Sequence, residues 1–353
     1  SVRVANQIYP FEQSGSFECS DPLFTQLWQL GWRTLEVCAE DSYTDTPYRE
    51  RGLYAGDMLP QMGITLAGSG DLRLVKRSLE LFQDMYVDRF NPGTSKHPDE
   101  IGLLEDYPLL SLEAWTWYVD RTNDVAFAKK LYPAYKRLID FELDRRNEDG
   151  LVFNQRVFIE WTQIQKSDVY NTAYHNILAR CCQRMARMAE QLGHTDDAAA
   201  FAQAYQELQA AIQTHFWDED EQLFSDGIQA DSLLDSHYPI SSVMPYLAKV
   251  TKEEQHTPIF DFLTDTLQYI GTKERQRVTT PYGGFYVLGA LYERGLPAVA
   301  ERHIRQNWSE MVFYHNDTAW ENFGRNGMFT LSHAWSAAPT YYLTTQVLGV
   351  NLG

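Results

Sequence analysis

Apolar residues recur at three- and four-residue steps along most of the chain, the spacing that puts one hydrophobic stripe on an α-helix. Phe24, Leu27, Trp28, Gly31, Leu35 and Cys38 form such a face behind Asp21-Pro22, where Asp suits the cap and Pro the first helical position. The pattern predicts further helices from Asp57 to Leu66, 71–84 with Asp71 as cap, 108–121 and 124–146, the last kinked at Pro133. From Asp168 the run Ala173, Ile177, Cys181, Met185, Met188, Leu192 keeps helical period until Gly193, a C-cap signal. Thr195 is the expected cap of the next helix, whose face is Phe201, Tyr205, Leu208, Ile212 and His215. Helices are then expected at 235–247, 252–270, 284–294, 296–308 and 330–348.

About twelve helices result, joined by short links carrying Gly or Asn and by long polar stretches, among them 90–106 and 147–167. An all-α fold follows, with six helical hairpins closed into an (α/α)6 toroid as the favoured arrangement over residues 20–353. Helix count alone leaves an α-solenoid open, although no short repeat is visible. Residues 1–19 alternate β-branched and aromatic positions, broken by Pro10 and Gly15, and read as a strand or extended arm.

The least helical stretch is the most charged with chemistry. Residues 41–57 hold four carboxylates, two arginines, a proline and two glycines, and Pro47 disfavours helix at Thr46. Asp45, Glu50 and Asp57, interleaved with Arg49 and Arg51, offer a set in which one carboxyl keeps a proton while others bind hydroxyls. A solvated charged loop accounts for the same spacing equally well, and a Glu50 paired to its arginines is a structural alternative.

Composition narrows the partners. A formal net charge of −18 argues against nucleic acid and against an anionic membrane surface, and no stretch approaches the apolar length of a membrane span. Nine Trp and twenty-one Tyr exceed what a core needs, and spare rings suit a sugar's apolar face. Four cysteines, two of them adjacent at Cys181 and Cys182, make no disulfide framework and are expected to be free thiols. Nucleotide, zinc, serine-hydrolase and redox motifs are missing, and Asp218-Glu-Asp-Glu221 lacks the spaced ligands of a calcium loop, so no cofactor and no metal are expected. Ser1-Val-Arg-Val has no signal-peptide pattern, which leaves the compartment open.

The string Asp-x-Pro-x-Arg-Glu-Arg-x-x-Tyr-x-Gly-Asp, from Asp45 to Asp57, resembles the signature loop of the inverting α-L-rhamnosidases, D-x-P-Q-R-E-R-x-G-W-x-G-D. Tyr48 stands where that family has Gln, and Leu53-Tyr54 replace Gly-Trp. Thr318-Ala-Trp320-Glu321 resembles the family's Thr-x-Trp-Glu, and Ser332-His333 its Ser-x-Asn-His. Glu160-Trp161 is similar to Gly-Asp-Trp, with Glu for Asp and the Gly lost. The segment Gly15-Ser-Phe-Glu-Cys-Ser-Asp21 is similar to the family's passage into its barrel, which makes 1–19 the remnant of a preceding β-domain.

The resemblance implies a glycoside hydrolase acting on an oligosaccharide or small glycoside, most simply on terminal α-L-rhamnose. It implies Glu50 as general acid and Glu321 as general base. Asp45, Arg49, Tyr54, Asp57, Glu160, Trp161, Trp320 and His333 become expected sugar contacts, although Trp320 is alternatively a core anchor. Two rival readings stand beside it: a six-hairpin hydrolase for another sugar, suggested by Leu53-Tyr54, and a silent carbohydrate-binding scaffold, opposed by retention of both glutamates.

Overall fold

The computed structural model describes residues 7–83, 104–268, 278–314, 317–324 and 330–350. Helices α1 (Pro22–Val37), α2 (Ala55–Gly68), α3 (Arg73–Phe82), α4 (Asp106–Thr122), α5 (Val125–Asp144), α6 (Thr172–Leu192) and α7 (Thr195–His215) make up the first part. Then come α8 (Pro239–Leu247), α9 (Glu253–Thr266), α10 (Pro281–Glu293) and α11 (Pro297–Phe313). The last helical segment is composite: a 3-10 turn (Ala334–Ala337), α12 (Ala338–Tyr342) and a π-helical turn (Leu343–Val347).

Packing sorts these into two rings. Helix α2 packs on α4, α4 on α6, α6 on α8, α8 on α10, and α10 on the 334–342 segment, which returns to α2 and closes the circle. Outside it, α3 lies on α2 and α4, α5 on α4 and α6, α7 on α6, α9 on α8, and α11 on α10 and α1. The fold is the expected (α/α)6 toroid. Composition explains which helix goes where: α2 and α10 each carry one charged residue and are buried on nearly every face, whereas α3 and α7 keep a charged outer side.

The connections differ at the two ends. Inner-to-outer links are short, and each turns through a residue of positive φ: Gly70, Asn123, Gly193, Lys249 or Gly295. Outer-to-inner links are long, so the N-terminal ends of the inner helices receive nearly all the irregular chain, which is where binding residues concentrate.

Several boundaries moved. Asp21 caps α1 by accepting from Leu23 N–H, and Gly193 ends α6, both as expected. Leu72 takes the cap position of α3, yet Asp71 still accepts from Arg73 N–H at 3.1 Å. His194 precedes α7, of which Thr195 is the first residue, and α5 continues through Pro133 to Asp144. The helices expected from 168 and 235 start later, because Tyr170–Asn171 (β1) pairs antiparallel with Gly227–Gln229 (β4), itself paired with Ser232–Leu233 (β5). Trp217–Asp218 (β2) and Leu223–Phe224 (β3) form a second hairpin, whose turn, 219–222, holds three of the four acids of the 218–221 run. These ribbons have too few residues for an alternation to show. Residues 7–19 form no strand; they lie extended against α2, with Ser14 and Gly15 N–H both donating to Gly68 O. Residues 1–6, 84, 90–103, 269–270 and Asn316, covered by the expectations above, lie outside the described residues.

Candidate active site

The loop between α1 and α2 folds back on itself around Asp45. Asp45 N–H donates to Gly52 O at 2.9 Å while Asp45 Oδ1 accepts from Gly52 N–H at 2.7 Å, closing 45–52 into a ring. Arg51, at φ 55°, reverses the chain inside that ring and sends its guanidinium to Glu40. Glu50 is therefore not clasped between two arginines, as the sequence suggested; only Arg49 faces it.

Arg49 Nη2 lies 3.2 Å from Glu50 Oε1 and 2.8 Å from Glu321 Oε2, although Arg49 and Glu321 are 272 positions apart. Those two legs cap the separation of the two carboxyl oxygens at 6.0 Å. Glu50 keeps a third of its side chain exposed and also accepts from Tyr54 hydroxyl at 2.9 Å. Glu321 is buried, its Oε2 held by Thr330 N–H at 3.0 Å and its carbonyl by the Trp335 indole N–H at 3.0 Å.

Asp57 falls in the first turn of α2 rather than in the loop. Its Oδ1 is 2.7 Å from His333 Nε2, and His333 Nδ1 is 4.0 Å from Glu321 Oε2, too far for a direct hydrogen bond. The His333 ring stacks on Trp335 at 3.9 Å between centroids. Burial pushes both partners toward neutrality: Asp57 rises well above the carboxylate range, while His333 falls to about 4 against the pull of Asp45 and Glu321. Burial, with the Asp57 charge next, raises Asp45 to about 7, and its Oδ2 has no hydrogen-bond partner.

These groups open on a cavity of about 670 Å³, counting its mouth, lined by Asp45, Glu50, Tyr54, Asp57, Glu321 and His333. Leu104, Tyr107, Arg156, Phe158, Trp161 and Trp335 complete the wall. Trp161 is 45% exposed, and Phe158 meets it edge-on at 5.4 Å, with Lys166 over both rings.

Three expected contacts are missing from the cavity wall: Arg49, which meets it only through the two glutamates it bridges, Glu160 and Trp320. Glu160 points into the protein, where its carboxylate takes the Trp161 N–H at 2.8 Å and the hydroxyls of Thr279 and Thr280. A Cβ on Gly283 would stand 1.4 Å from Glu160 Oε2, so α10 needs glycine there to admit the carboxylate. Burial raises Glu160 despite these donors. Trp320 is buried, close to Tyr314 and with an unpartnered indole N–H; it anchors the core behind Glu321 and is no sugar platform.

Sequence reasoning passed over the pair that sets the opposite wall. Glu105 accepts from the N–H groups of Gln155 and Arg156, and Asp106 from those of Phe158 and Ile159. Together they pin the strap bearing Arg156, Phe158 and Trp161 to the start of α4. Burial holds Asp106 at about 6 although those N–H groups favour its charged form. Two adjacent acids directly before a helix were the available signal. Trp335 was visible too, two residues beyond His333 in the same segment.

Among the described residues no His, Cys, Asp and Glu cluster is arranged to hold a metal, and no helix is long and apolar enough to cross a membrane. The chain thus defines a six-hairpin toroid with carboxylates gathered at one mouth, the class to which many glycosidases belong. A sequence profile of the bacterial alpha-L-rhamnosidase 6 hairpin glycosidase domain matches residues 12–347, and the chain belongs to that family. It superposes on a family GH78 rhamnosidase of Bacillus sp. GL1 with a TM-score of 0.88 and 27% identity, over 98% of this chain and 37% of that one. A rhamnosidase from Klebsiella oxytoca with rhamnose bound gives 0.77 and 25%, over 96% and 66%. An α-L-rhamnosidase of Streptomyces avermitilis complexed with L-rhamnose gives 0.73 and 18%, over 96% and 33%. The chain thus spans only about a third of the Bacillus and Streptomyces enzymes. No curated protein matches it in sequence.

Proposed function

We propose that the protein hydrolyses terminal α-L-rhamnosides with inversion, Glu50 acting as general acid and Glu321 as general base. What carries the reading is Arg49, which holds both glutamates at one cavity from opposite ends of the chain. Protonation of the glycosidic oxygen by Glu50 and removal of a proton from water by Glu321 transfer hydroxyl to the anomeric carbon without a covalent sugar.

An inverting pair works across about 6.5–9.5 Å, whereas Arg49 now keeps the facing oxygens within 6.0 Å. In this reading substrate entry exchanges one leg of the arginine bridge for a sugar contact and sets the pair at its working distance. Asp57, and Asp45 below about pH 7, offer carboxyl protons to hydroxyls, while His333 fixes Asp57 and stands beside Glu321. Trp161, Phe158 and Trp335 present apolar faces to the ring or its leaving group. Tyr54 brings a phenol to Glu50 where the family motif has indole.

A panel of nitrophenyl glycosides tests the reading. Release from the α-L-rhamnoside well above every other sugar supports it; preference for another sugar moves the specificity, and silence across the panel favours a binding scaffold.

A further inference from the structure

The toroid has a second opening, at the end where the inner helices finish. A cavity of about 770 Å³ with its mouth lies on the axis there, and all six inner segments contribute to its wall. It is separate from the carboxylate site: no residue lines both. Tyr282 and Tyr286, one turn apart on α10 with ring centroids 6.0 Å apart, stand between them: Tyr286 lines the axial cavity, and Tyr282 packs beneath the Phe158 and Trp335 rings of the other.

Two arginines one turn apart on α6 face this space. Arg180 Nε pairs with Glu113 at 2.9 Å, and Glu293, also in the wall, is taken by Lys249. That leaves Arg184 without a carboxylate partner among the described residues; its one side-chain acceptor is Thr116 hydroxyl, at 3.3 Å. The α6 carbonyl end does not compensate it, because Arg184 sits about two turns before Leu192 and the helix dipole acts within the last turn. The nearest carboxylate, Glu113, is already paired with Arg180, so the partly buried Arg184 guanidinium shares its counter-charge and an anion would complete it. Burial does pull Arg184 below the usual arginine range, against the pull of Glu113.

Part of the same wall is aromatic. Trp117 meets Tyr341 edge-on at 5.7 Å, and Tyr341 lies 6.3 Å from Phe285, so three rings from three helices make one face. A planar fork and three aromatic rings lining one cavity suit a ligand with both characters.

We propose that this axial cavity binds a small carboxylate with an aromatic or apolar body, its carboxylate on Arg184 and its body against Trp117, Phe285 and Tyr341. The site stands independently of the glycosidase reading.

Titration calorimetry with sodium benzoate, against benzyl alcohol and sodium chloride at matched ionic strength, tests it. Saturable binding of benzoate is expected, with neither control binding. Arg184→Lys keeps a buried cation, and so the fold, but loses the fork; at least about tenfold weaker binding is expected. Absence of saturable benzoate binding, equal binding of benzyl alcohol, or unchanged affinity in Arg184→Lys would each overturn the proposal. A benzoate affinity unaffected by saturating rhamnose keeps this result distinct from any at the carboxylate site.

Discussion

His333 Nε2 and Asp57 Oδ1 lie 2.7 Å apart, joining the first turn of α2 to the segment that closes the toroid 276 positions later. The bond does two things at once: it seals the inner ring, and it orients an imidazole whose other nitrogen stands 4.0 Å from Glu321. Removing it should therefore cost both stability and activity. His333→Ala strands the Asp57 carboxyl in the interior, which should lower stability by about 1–3 kcal/mol. Turnover should fall by about tenfold or more from loss of positioning. Urea unfolding and kcat on a rhamnoside check the pair together; a variant with wild-type stability would mean that the contact is incidental.

Asp45 predicts a pH dependence of definite sign. Its folded value of about 7 lies above the unfolded 3.8, so between them the folded chain holds the extra proton. Stability from this group is present at low pH and is lost as pH rises through about 7. Asp45→Asn, which keeps an acceptor for Gly52 N–H, should remove that decline. Unfolding midpoints at pH 4.5 and 7.5 should differ less favourably for acid in the variant than in the parent; an identical pH response would show that Asp45 ionises normally.

The two tryptophans beside the glutamates should separate cleanly. Trp320→Ala empties the core and should cost about 3–5 kcal/mol. Trp161→Ala removes a half-exposed ring from the cavity wall and should raise KM with little change in Tm. Thermal melts and Michaelis curves on both variants decide it, and the reverse pattern would exchange their roles.

Asp106→Asn replaces one of two acceptors with a donor facing Phe158 or Ile159 N–H, so the strap should loosen. The expected signature is a rise in KM larger than the fall in kcat, with faster amide exchange at Phe158 and Ile159. Unchanged exchange there would show that Glu105 alone secures the strap.

Much of this was legible from residue pattern alone, for identifiable reasons. The three- and four-residue stripes around Trp28 and Met185 fixed helices because each buries one face against a neighbour. The short links were legible because Asn123 and Gly193 mark left-handed turns. The fate of Glu160 was not, because its partners, Thr279 and Thr280, come from a loop 119 and 120 positions away. Arg51 was misread for a different cause: alternation of charge in sequence says nothing about a residue at positive φ, which throws the second arginine to the far side. The strap held by Asp106 was hidden because its bonds run to backbone N–H groups, which carry no side-chain signature.

The central claim is that Glu50 and Glu321 act as acid and base on opposite sides of one glycosidic bond. The most direct test is proton NMR of a fresh digest of an α-L-rhamnoside, read before mutarotation mixes the anomers. The account predicts β-L-rhamnose as the first-formed sugar, with that signal lost in both Glu50→Gln and Glu321→Gln on a substrate whose leaving group needs a proton. α-L-Rhamnose appearing first would mean a covalent intermediate and would contradict the assignment of the two glutamates.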